Sequence, residues 1–184
     1  MKKVDFADYD KCGYTPGASF VKRTLWLIVN AVFFQNPLSI FSSVKVSLLK
    51  AFGCRAGKHI TIKPSVSIKY PWRLEMGDYT SIGESVWIDN LAPVRIGSNV
   101  CISQGAYLLT GSHNYKSVRF DLITGSITLE DGVWIGAKAI VCPGVTCRSH
   151  SVLAVNSVAN KDLEAYSIYQ GNPATLKRTR ELDG

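Results

Sequence analysis

Small apolar residues recur at every sixth position from Ala56 to about residue 164. A period of six residues fits neither an α-helix of 3.6 residues per turn nor a strand whose side chains alternate at every second position. It fits short flat strands joined by tight turns, with one apolar side chain per strand pointing inward. The hexads begin at Ala56, Ile62, Ile68, Met76, Ile82, Ile88, Ile96, Ile102, Leu108, Leu129, Ile135, Val141, Cys147 and Leu153.

Three consecutive hexads make one triangular coil, and successive coils can stack at the spacing of hydrogen-bonded strands. The pattern therefore predicts an all-β solenoid of about five coils. Two residues, Leu74-Glu75 and then Val94-Arg95, separate the first three blocks of hexads. Glycine at the second position suits a corner that needs unusual dihedral angles or a close approach of backbones. These second-position glycines are Gly57, Gly77, Gly83, Gly97 and Gly136.

The two ends of the chain do not follow the hexad pattern. RTLWLIVNAVFF and SIFSSVKVSLLKAF read as two helices separated by Asn36-Pro37. We expect residues 1–55 to form a helical cap over the first coil, because the open end of a solenoid exposes unpaired strand edges. Residues 56–165 then form the β-helix, and residues 166–184 form a closing strand and a basic C-terminal tail.

The charge and cysteine content restrict the function. The chain has 21 Lys and Arg against 14 Asp and Glu, a net charge of +7 that favours acidic partners. The basic residues are scattered and form no stripe with aromatic residues, so nucleic acid is not an expected partner. The five cysteines are odd in number and lack CxxC spacing, which favours free thiols in a reducing cytoplasm over disulfides or a zinc site.

Residues near the N-terminus predict a cytoplasmic protein, because MKKVDFADYDKCGY contains no apolar run of the kind found in signal peptides. The most apolar segment, residues 25–34, is shorter than the roughly 20 residues that a membrane-spanning helix needs. We expect this segment to pack on the domain. A weak association of residues 20–50 with a membrane surface remains the alternative.

Residues 111–126 interrupt the hexad pattern, and we expect them to leave the solenoid as an external loop. Long loops in compact domains are commonly functional. This loop carries His113, and a neutral imidazole can accept a proton from an alcohol or an amine. The residues alone leave open whether His113 is a general base or a surface histidine. His59 and His150 lie within hexads at outward positions, where a structural role is expected.

The motifs around this loop resemble those of hexapeptide-repeat, left-handed β-helix acetyltransferases. TGSHNY, ITLEDGVWIGAKAIVCPGVT, SVANKDL and GNPA are similar to motifs of the maltose and galactoside acetyltransferases. Nearly the whole chain, including GYTPGASFVKRTLW, resembles the colanic-acid-type acetyltransferases of exopolysaccharide biosynthesis. The resemblance implies the left-handed coil, a homotrimer with sites between neighbouring chains, and acetyl-CoA as co-substrate without a metal.

In such enzymes the loop histidine is the catalytic base, which implies that His113 deprotonates a sugar hydroxyl for direct attack on acetyl-CoA, without an acyl-enzyme. A backbone amide around Gly136 or Ala137 would stabilise the oxyanion, and Asp89 and Asn90 would bind the acceptor. Asp89 could instead orient His113. The positions that match the family's coenzyme A contacts are Trp134, Gly136, Ala137, Val155, Asn160, Lys161 and Arg178.

Two positions depart from the family's pattern. Asn160 stands where the family often has Thr, and Thr175 stands where it often has Arg, so one phosphate contact is either absent or supplied by Lys177. Two other functions compete with the acetyltransferase. A zinc hydratase like the γ-class carbonic anhydrases needs three histidine ligands, and two of the three histidines here lie in other hexads. A non-catalytic scaffold or membrane-associated subunit of a polysaccharide assembly complex is the second alternative.

Overall fold

The computed structural model describes residues 3–9 and 12–183. From Arg55 onward, short strands stack in parallel on the three faces of a triangular prism. The first face holds β1 (Arg55–Ala56), β4 (Leu74–Met76), β7 (Val94–Ile96), β12 (Ile127–Leu129) and β15 (Thr146–Cys147). The second face holds β2 (Thr61–Ile62), β5 (Ser81–Ile82), β8 (Cys101–Ile102), β13 (Trp134–Ile135), β16 (Val152–Leu153), β18 (Ser167–Gly171) and β19 (Ala174–Thr179). The third face holds β3 (Ser67–Ile68), β6 (Trp87–Asp89), β9 (Tyr107–Leu109), β14 (Ile140–Val141) and β17 (Val158–Ala159).

The predicted solenoid is confirmed, but the described chain makes about six turns rather than five. Five coils have a strand on each face, and a sixth begins where β18 pairs in parallel with β16. Leu163 also forms a parallel bridge with Cys147 on the first face. The hexad pattern is lost in this last coil, which is why the sequence does not reveal it. β19 then folds back antiparallel on β18 and ends the second face.

The core is a set of apolar rows that run along the prism. On the second face Ile62 pairs with Ile82, Ile82 with Ile102, Ile102 with Ile135 and Ile135 with Leu153, and all five side chains are buried. Because every coil contributes one residue to each row, the hexad repeat stacks equivalent apolar side chains on one another along the prism.

The corner glycines act by close approach and not by unusual dihedral angles. None of the five second-position glycines has a positive φ, but a Cβ built on any of them would lie within 2.9 Å of the backbone of the next coil. The left-handed backbone conformation falls instead at the fourth position of the hexads, which explains why His59 and His150 occur there with φ of 55° and 59°.

Two helices cover the open end of the first coil. α1 (Phe20–Val29) continues as a π-helical turn at Asn30–Phe34, and α2 spans Ser42–Ala51. Trp26 donates its indole N–H to the carbonyl of Ile68 at 2.8 Å, and Asn30 accepts from the amide of Ile68. These bonds pair the backbone groups that the strand edge would otherwise leave unsatisfied. Among the described helices, none has both the length and the apolar character to cross a membrane. Two short 3₁₀ turns lie at Phe6–Asp8 and Pro71–Arg73.

Lys45 covers the exposed backbone of the first coil at β2, on the second face. Its side chain is fully buried, and its Nζ donates to the carbonyls of Lys63 at 2.8 Å and Ile62 at 3.4 Å. Replacing Lys45 by Met leaves the Lys63 carbonyl without this donor, whereas the Ile62 carbonyl keeps the Ser42 hydroxyl at 3.2 Å, so we expect the free energy of unfolding to fall by about 2 kcal/mol. Lys50→Met on the same helix is the control, because its bond to the Gly57 carbonyl is long, at 3.5 Å, and exposed; it should change the free energy of unfolding by less than about 0.5 kcal/mol. Urea unfolding of both variants measures the difference, and equal effects would contradict the capping role.

Candidate active site

The interruption at residues 111–126 forms a hairpin outside the prism. β10 (Gly111–His113) pairs antiparallel with β11 (Leu122–Thr124), and the amide of Asn114 donates to the carbonyl of Asp121 at 2.8 Å. The N-terminal segment packs on the tip, where the amide of Asp5 donates to the carbonyl of Val118. The hairpin follows β9 on the third face and precedes β12 on the first, so it leaves the prism at the corner between these two faces.

His113 is held in one orientation by Phe120. The two rings stack with centroids 4.4 Å apart and planes 11° from parallel, and Nδ1 of His113 lies 3.0 Å from the carbonyl oxygen of Phe120. A carbonyl oxygen only accepts hydrogen bonds, so Nδ1 carries the proton and donates. In the neutral ring Nε2 is therefore unprotonated, and its lone pair can accept a proton from a substrate.

A cavity of about 380 Å³ lies beside His113. The hairpin contributes His113 and Leu122, and most of the other lining residues come from the N-terminal segment and the first two coils. These residues are Tyr9, Tyr14, Pro16, Arg23, Lys69, Tyr70 and Leu91. The ring centroid of Tyr9 lies 5.8 Å from that of His113. Burial, and then the neighbouring Tyr70, raise the pKa of Tyr14, so its hydroxyl stays protonated and can donate a hydrogen bond.

Asp89 and Asn90 lie behind this cavity and support two of its residues. Asp89 forms an ion pair with Lys69, with 2.8 Å between Nζ and Oδ1. Asn90 is fully buried, and its amide accepts from the backbone N–H of Tyr70 at 2.8 Å and donates to the Tyr70 carbonyl at 2.7 Å. Both ends of the Asn90 amide are therefore used to position Tyr70, which lines the cavity; that Asn90 contributes to acceptor binding stays a prediction.

In the structure, His113 and Asp89 each have partners other than one another. The Phe120 carbonyl occupies Nδ1 of His113, while Asp89 faces Lys69 and the hydroxyl of Tyr107 at 3.4 Å. Burial and the Asp89 carboxylate raise the pKa of Tyr107 to about 12, so its hydroxyl remains a donor.

A separate cavity of about 770 Å³ lies on the second face. It brings together five of the seven positions that match coenzyme A contacts: Trp134, Gly136, Ala137, Val155 and Arg178. The Trp134 ring is half exposed and is held by a hydrogen bond of 2.9 Å from its Nε1 to Ser103 Oγ. Asn160 and Lys161 are exposed beyond β17, outside this cavity.

Two backbone N–H groups at the corner after Trp134 differ in whether they are already hydrogen-bonded. The amide of Gly136 is used in the sheet, where it donates to the carbonyl of Leu153 at 2.7 Å. The amide of Ala137 has no acceptor in the described part of the chain, and Ala137 lines the cavity. Of the two candidates for the oxyanion donor, Ala137 therefore has the available N–H.

The two cavities have no lining residue in common. Their separation follows from the triangular cross-section, because the corner between the first and third faces is opposite the second face. The hairpin that carries His113 leaves at that corner, whereas Trp134 lies on the second face and Ala137 lies at the corner between the second and third faces. A single chain therefore does not bring His113 to this second cavity.

The comparisons with known proteins identify the family, although no family model matches the sequence. The chain is 36% identical over 164 residues to WcaF of Escherichia coli K12, whose name assigns it to acetyl transfer in colanic acid biosynthesis. The match covers 89% of this chain and 90% of WcaF. This chain belongs to the hexapeptide-repeat acetyltransferases. It is also 27% identical over 135 residues to the galactoside O-acetyltransferase of E. coli K12, a match that covers 72% of this chain and 66% of that enzyme.

A solved structure agrees with this assignment. The hexapeptide-repeat acetyltransferase VCA0836 of Vibrio cholerae, determined in complex with acetyl coenzyme A, superimposes with a TM-score of 0.80 at 26% identity. The superposition covers 90% of this acetyltransferase and 92% of that chain. The solenoid predicted from the hexads, with the left-handed coil that the resemblance implies, is thus the fold shared with this family. In the described residues no three His, Cys, Asp or Glu side chains are grouped so that they could hold a metal ion.

Proposed function

We propose that this chain is an acetyl-CoA-dependent O-acetyltransferase that modifies a sugar hydroxyl during the biosynthesis of a colanic-acid-type polysaccharide. The observation that supports the proposal most directly is the hydrogen bond from His113 Nδ1 to the Phe120 carbonyl, because it leaves Nε2 of the neutral ring unprotonated in a side chain that lines a cavity. The similarity to WcaF over nearly the whole chain supports a saccharide as the acceptor class.

The reaction needs one base and one oxyanion donor. His113 Nε2 accepts the proton of the acceptor hydroxyl while the oxygen attacks the thioester carbonyl carbon. The Ala137 N–H stabilises the developing negative charge on the carbonyl oxygen. When the intermediate collapses, the C–S bond breaks, the ester is complete, and the imidazolium returns its proton to the coenzyme A thiolate. No acyl-enzyme is required, and neither cavity is lined by a described cysteine.

Acetyl-CoA fits the cavity of the second face. The exposed Val155 and the half-exposed Trp134 offer apolar contacts for the pantetheine arm, and Arg178 is suited to a phosphate because its guanidinium presents several N–H donors. Asn160 and Lys161 would contact the nucleotide end of the coenzyme outside this cavity. Burial raises the pKa of the Cys147 thiol to about 12, which keeps it unreactive, as suits a protein of the reducing cytoplasm.

We further propose that the working unit is a homotrimer in which His113 of one chain meets Trp134, Ala137 and Arg178 of its neighbour. The opposite placement of the two cavities on the prism supports this arrangement. A convex prism has no deep pocket of its own, whereas two adjacent prisms and a projecting hairpin enclose one.

Complementation between two inactive variants tests the shared site. His113→Ala removes the base, and Val155→Trp fills the donor cavity at an exposed position. When the two variants are co-expressed in equal amounts, about one quarter of the sites combine an intact His113 with an intact neighbouring cavity. We expect transfer from acetyl-CoA to the best acceptor in a panel of hexosides to recover to about that fraction of the native rate.

Each variant expressed alone is the control and should stay inactive at the same protein concentration. Light scattering on the mixture should give three times the mass of one chain. A monomer, or a co-expressed mixture as inactive as its components, would refute the shared site.

A further inference from the structure

The cavity beside His113 continues into a second one. This neighbouring cavity of about 460 Å³ lies between α1 and the third face, and it shares Arg23, Lys69 and Tyr70 with the His113 cavity. Its other lining residues include Phe20, Leu27 and Trp87. The two cavities form one groove with three parts: the base at one end, two cationic side chains in the middle, and apolar side chains at the far end.

Arg23 has no anionic partner inside this groove, although its guanidinium lies 5.9 Å from the ring centroid of Phe20. Its Nε–H is buried and has no hydrogen-bond acceptor, and none of the ion pairs among the described residues involves it. Lys69 differs, because Asp89 already neutralises its charge. A buried donor without an acceptor is unfavourable unless a ligand supplies one. A planar guanidinium matches a phosphate group in geometry and charge.

The far end of the groove opens onto an exposed apolar surface. Phe20 and Leu27 line the groove and are 72% and 66% exposed, and Leu38 and Phe41, in the connection between α1 and α2, are 84% and 67% exposed. Monomeric proteins seldom expose a continuous apolar surface of this kind unless it binds something. Between Asp10 and Glu75 the sequence contains no acidic residue, while Lys and Arg recur throughout, so the surroundings attract an anion.

We propose that the acceptor is a saccharide joined through a phosphate or diphosphate to a lipid chain. This inference rests on the proposed function, since it places the reacting sugar beside His113. Arg23 then binds the phosphate, and the apolar side chains of α1 contact the lipid. The order of groups along the groove matches the order of groups in such a molecule: hydroxyl, then anion, then hydrocarbon.

Farnesyl diphosphate is the soluble probe for this subsite, and calorimetry or the fluorescence of Trp26 and Trp87 measures its binding. We expect saturable binding that Arg23→Gln weakens about tenfold or more. Arg23→Lys should restore part of the affinity. The matched control is Lys22→Gln, which removes one charge from the same helix. Lys22 lies over the Trp72 ring and lines neither cavity, so this variant should bind like the native protein.

The source of the phosphate is tested with three further probes. Uridine diphosphate, inorganic diphosphate and farnesol each lack the lipid or the anion, so each should bind at least about tenfold more weakly than farnesyl diphosphate. Arg23-dependent binding of uridine diphosphate as tight as that of farnesyl diphosphate would assign the phosphate to a nucleotide sugar and overturn the proposal. Binding that is equal in Arg23→Gln and Lys22→Gln would overturn it as well.

Acetyl-CoA titration of the same samples separates this inference from the function beneath it. If acetyl-CoA binds and farnesyl diphosphate does not, the lipid-linked acceptor is wrong and the acetyltransferase stands. If farnesyl diphosphate binds through Arg23 and acetyl-CoA does not bind, the anion subsite is real and the proposed reaction is wrong.

Discussion

Replacing His113 by Ala should lower kcat by about 10²-fold or more, because general-base assistance contributes roughly 10²- to 10⁴-fold. The side chain lies in the hairpin outside the prism, so its loss removes the stacking and hydrogen bond to Phe120 and should lower the free energy of unfolding by only about 1 kcal/mol. Acetyl-CoA affinity should also be unchanged, since His113 does not line the cavity of the second face. Release of the coenzyme A thiol, followed with the best hexoside acceptor, measures kcat.

The control for this variant is another histidine with a similar surface position. His59 stacks on Tyr79 and has a positive φ of 55°, which Asn tolerates, so His59→Asn removes an imidazole without a change of backbone. Its kcat should equal the native value. Native turnover in His113→Ala, or an equal loss in both variants, would exclude His113 as the base.

Replacing Gly83 by Ala should lower the free energy of unfolding by about 3 kcal/mol. A Cβ at this corner would lie 2.6 Å from the amide nitrogen of Gln104 and 2.8 Å from the carbonyl carbon of Ser103 in the next coil. Both contacts are backbone atoms held in the sheet, so neither can move without separating two coils. Urea denaturation followed by circular dichroism measures the change.

Gly105→Ala measures the second effect separately, which is the cost of a positive φ for a residue with a Cβ. Gly105 has a φ of 67°, but its added Cβ would have only the flexible side chain of Lys138 near it, at 3.4 Å. The left-handed conformation alone should cost about 1 kcal/mol. If Gly105→Ala proved as destabilising as Gly83→Ala, the close approach of coils would not be the reason for glycine at the second position.

The solenoid could be predicted from the sequence because its core repeats with the chain. Each strand contributes one inward apolar residue, so successive strands, as at Ile62 and Ile68, give the period of six. The row Ile62, Ile82 and Ile102 contains the equivalent residue of successive coils. The corners were less predictable. A glycine tolerates both close approach and positive φ, and the residue alone does not say which is needed. The structure assigns close approach to the second position and positive φ to the fourth, where His59 and Tyr79 adopt it.

The site was predictable in part. His113 was marked by the break in the repeat, and the positions on the second face followed from the resemblance of motifs such as VWIGA to those of the acetyltransferases. The partners of His113 were not visible, because the Phe120 carbonyl is a backbone group and the tyrosines of the N-terminal segment reach the cavity through tertiary packing. The surroundings of Asn90 were not visible in the sequence either. A polar residue at a corner reads as exposed, yet its amide is buried against the backbone of Tyr70.

Calorimetric titration of acetyl-CoA into the purified protein tests the central claim most directly. The account predicts saturable binding with close to one site per chain, weakened in Arg178→Gln and unchanged in His113→Ala. Such a result would establish the donor and leave the acceptor sugar to be identified. The absence of binding at millimolar acetyl-CoA would contradict the acetyltransferase function and favour a non-catalytic role in polysaccharide assembly.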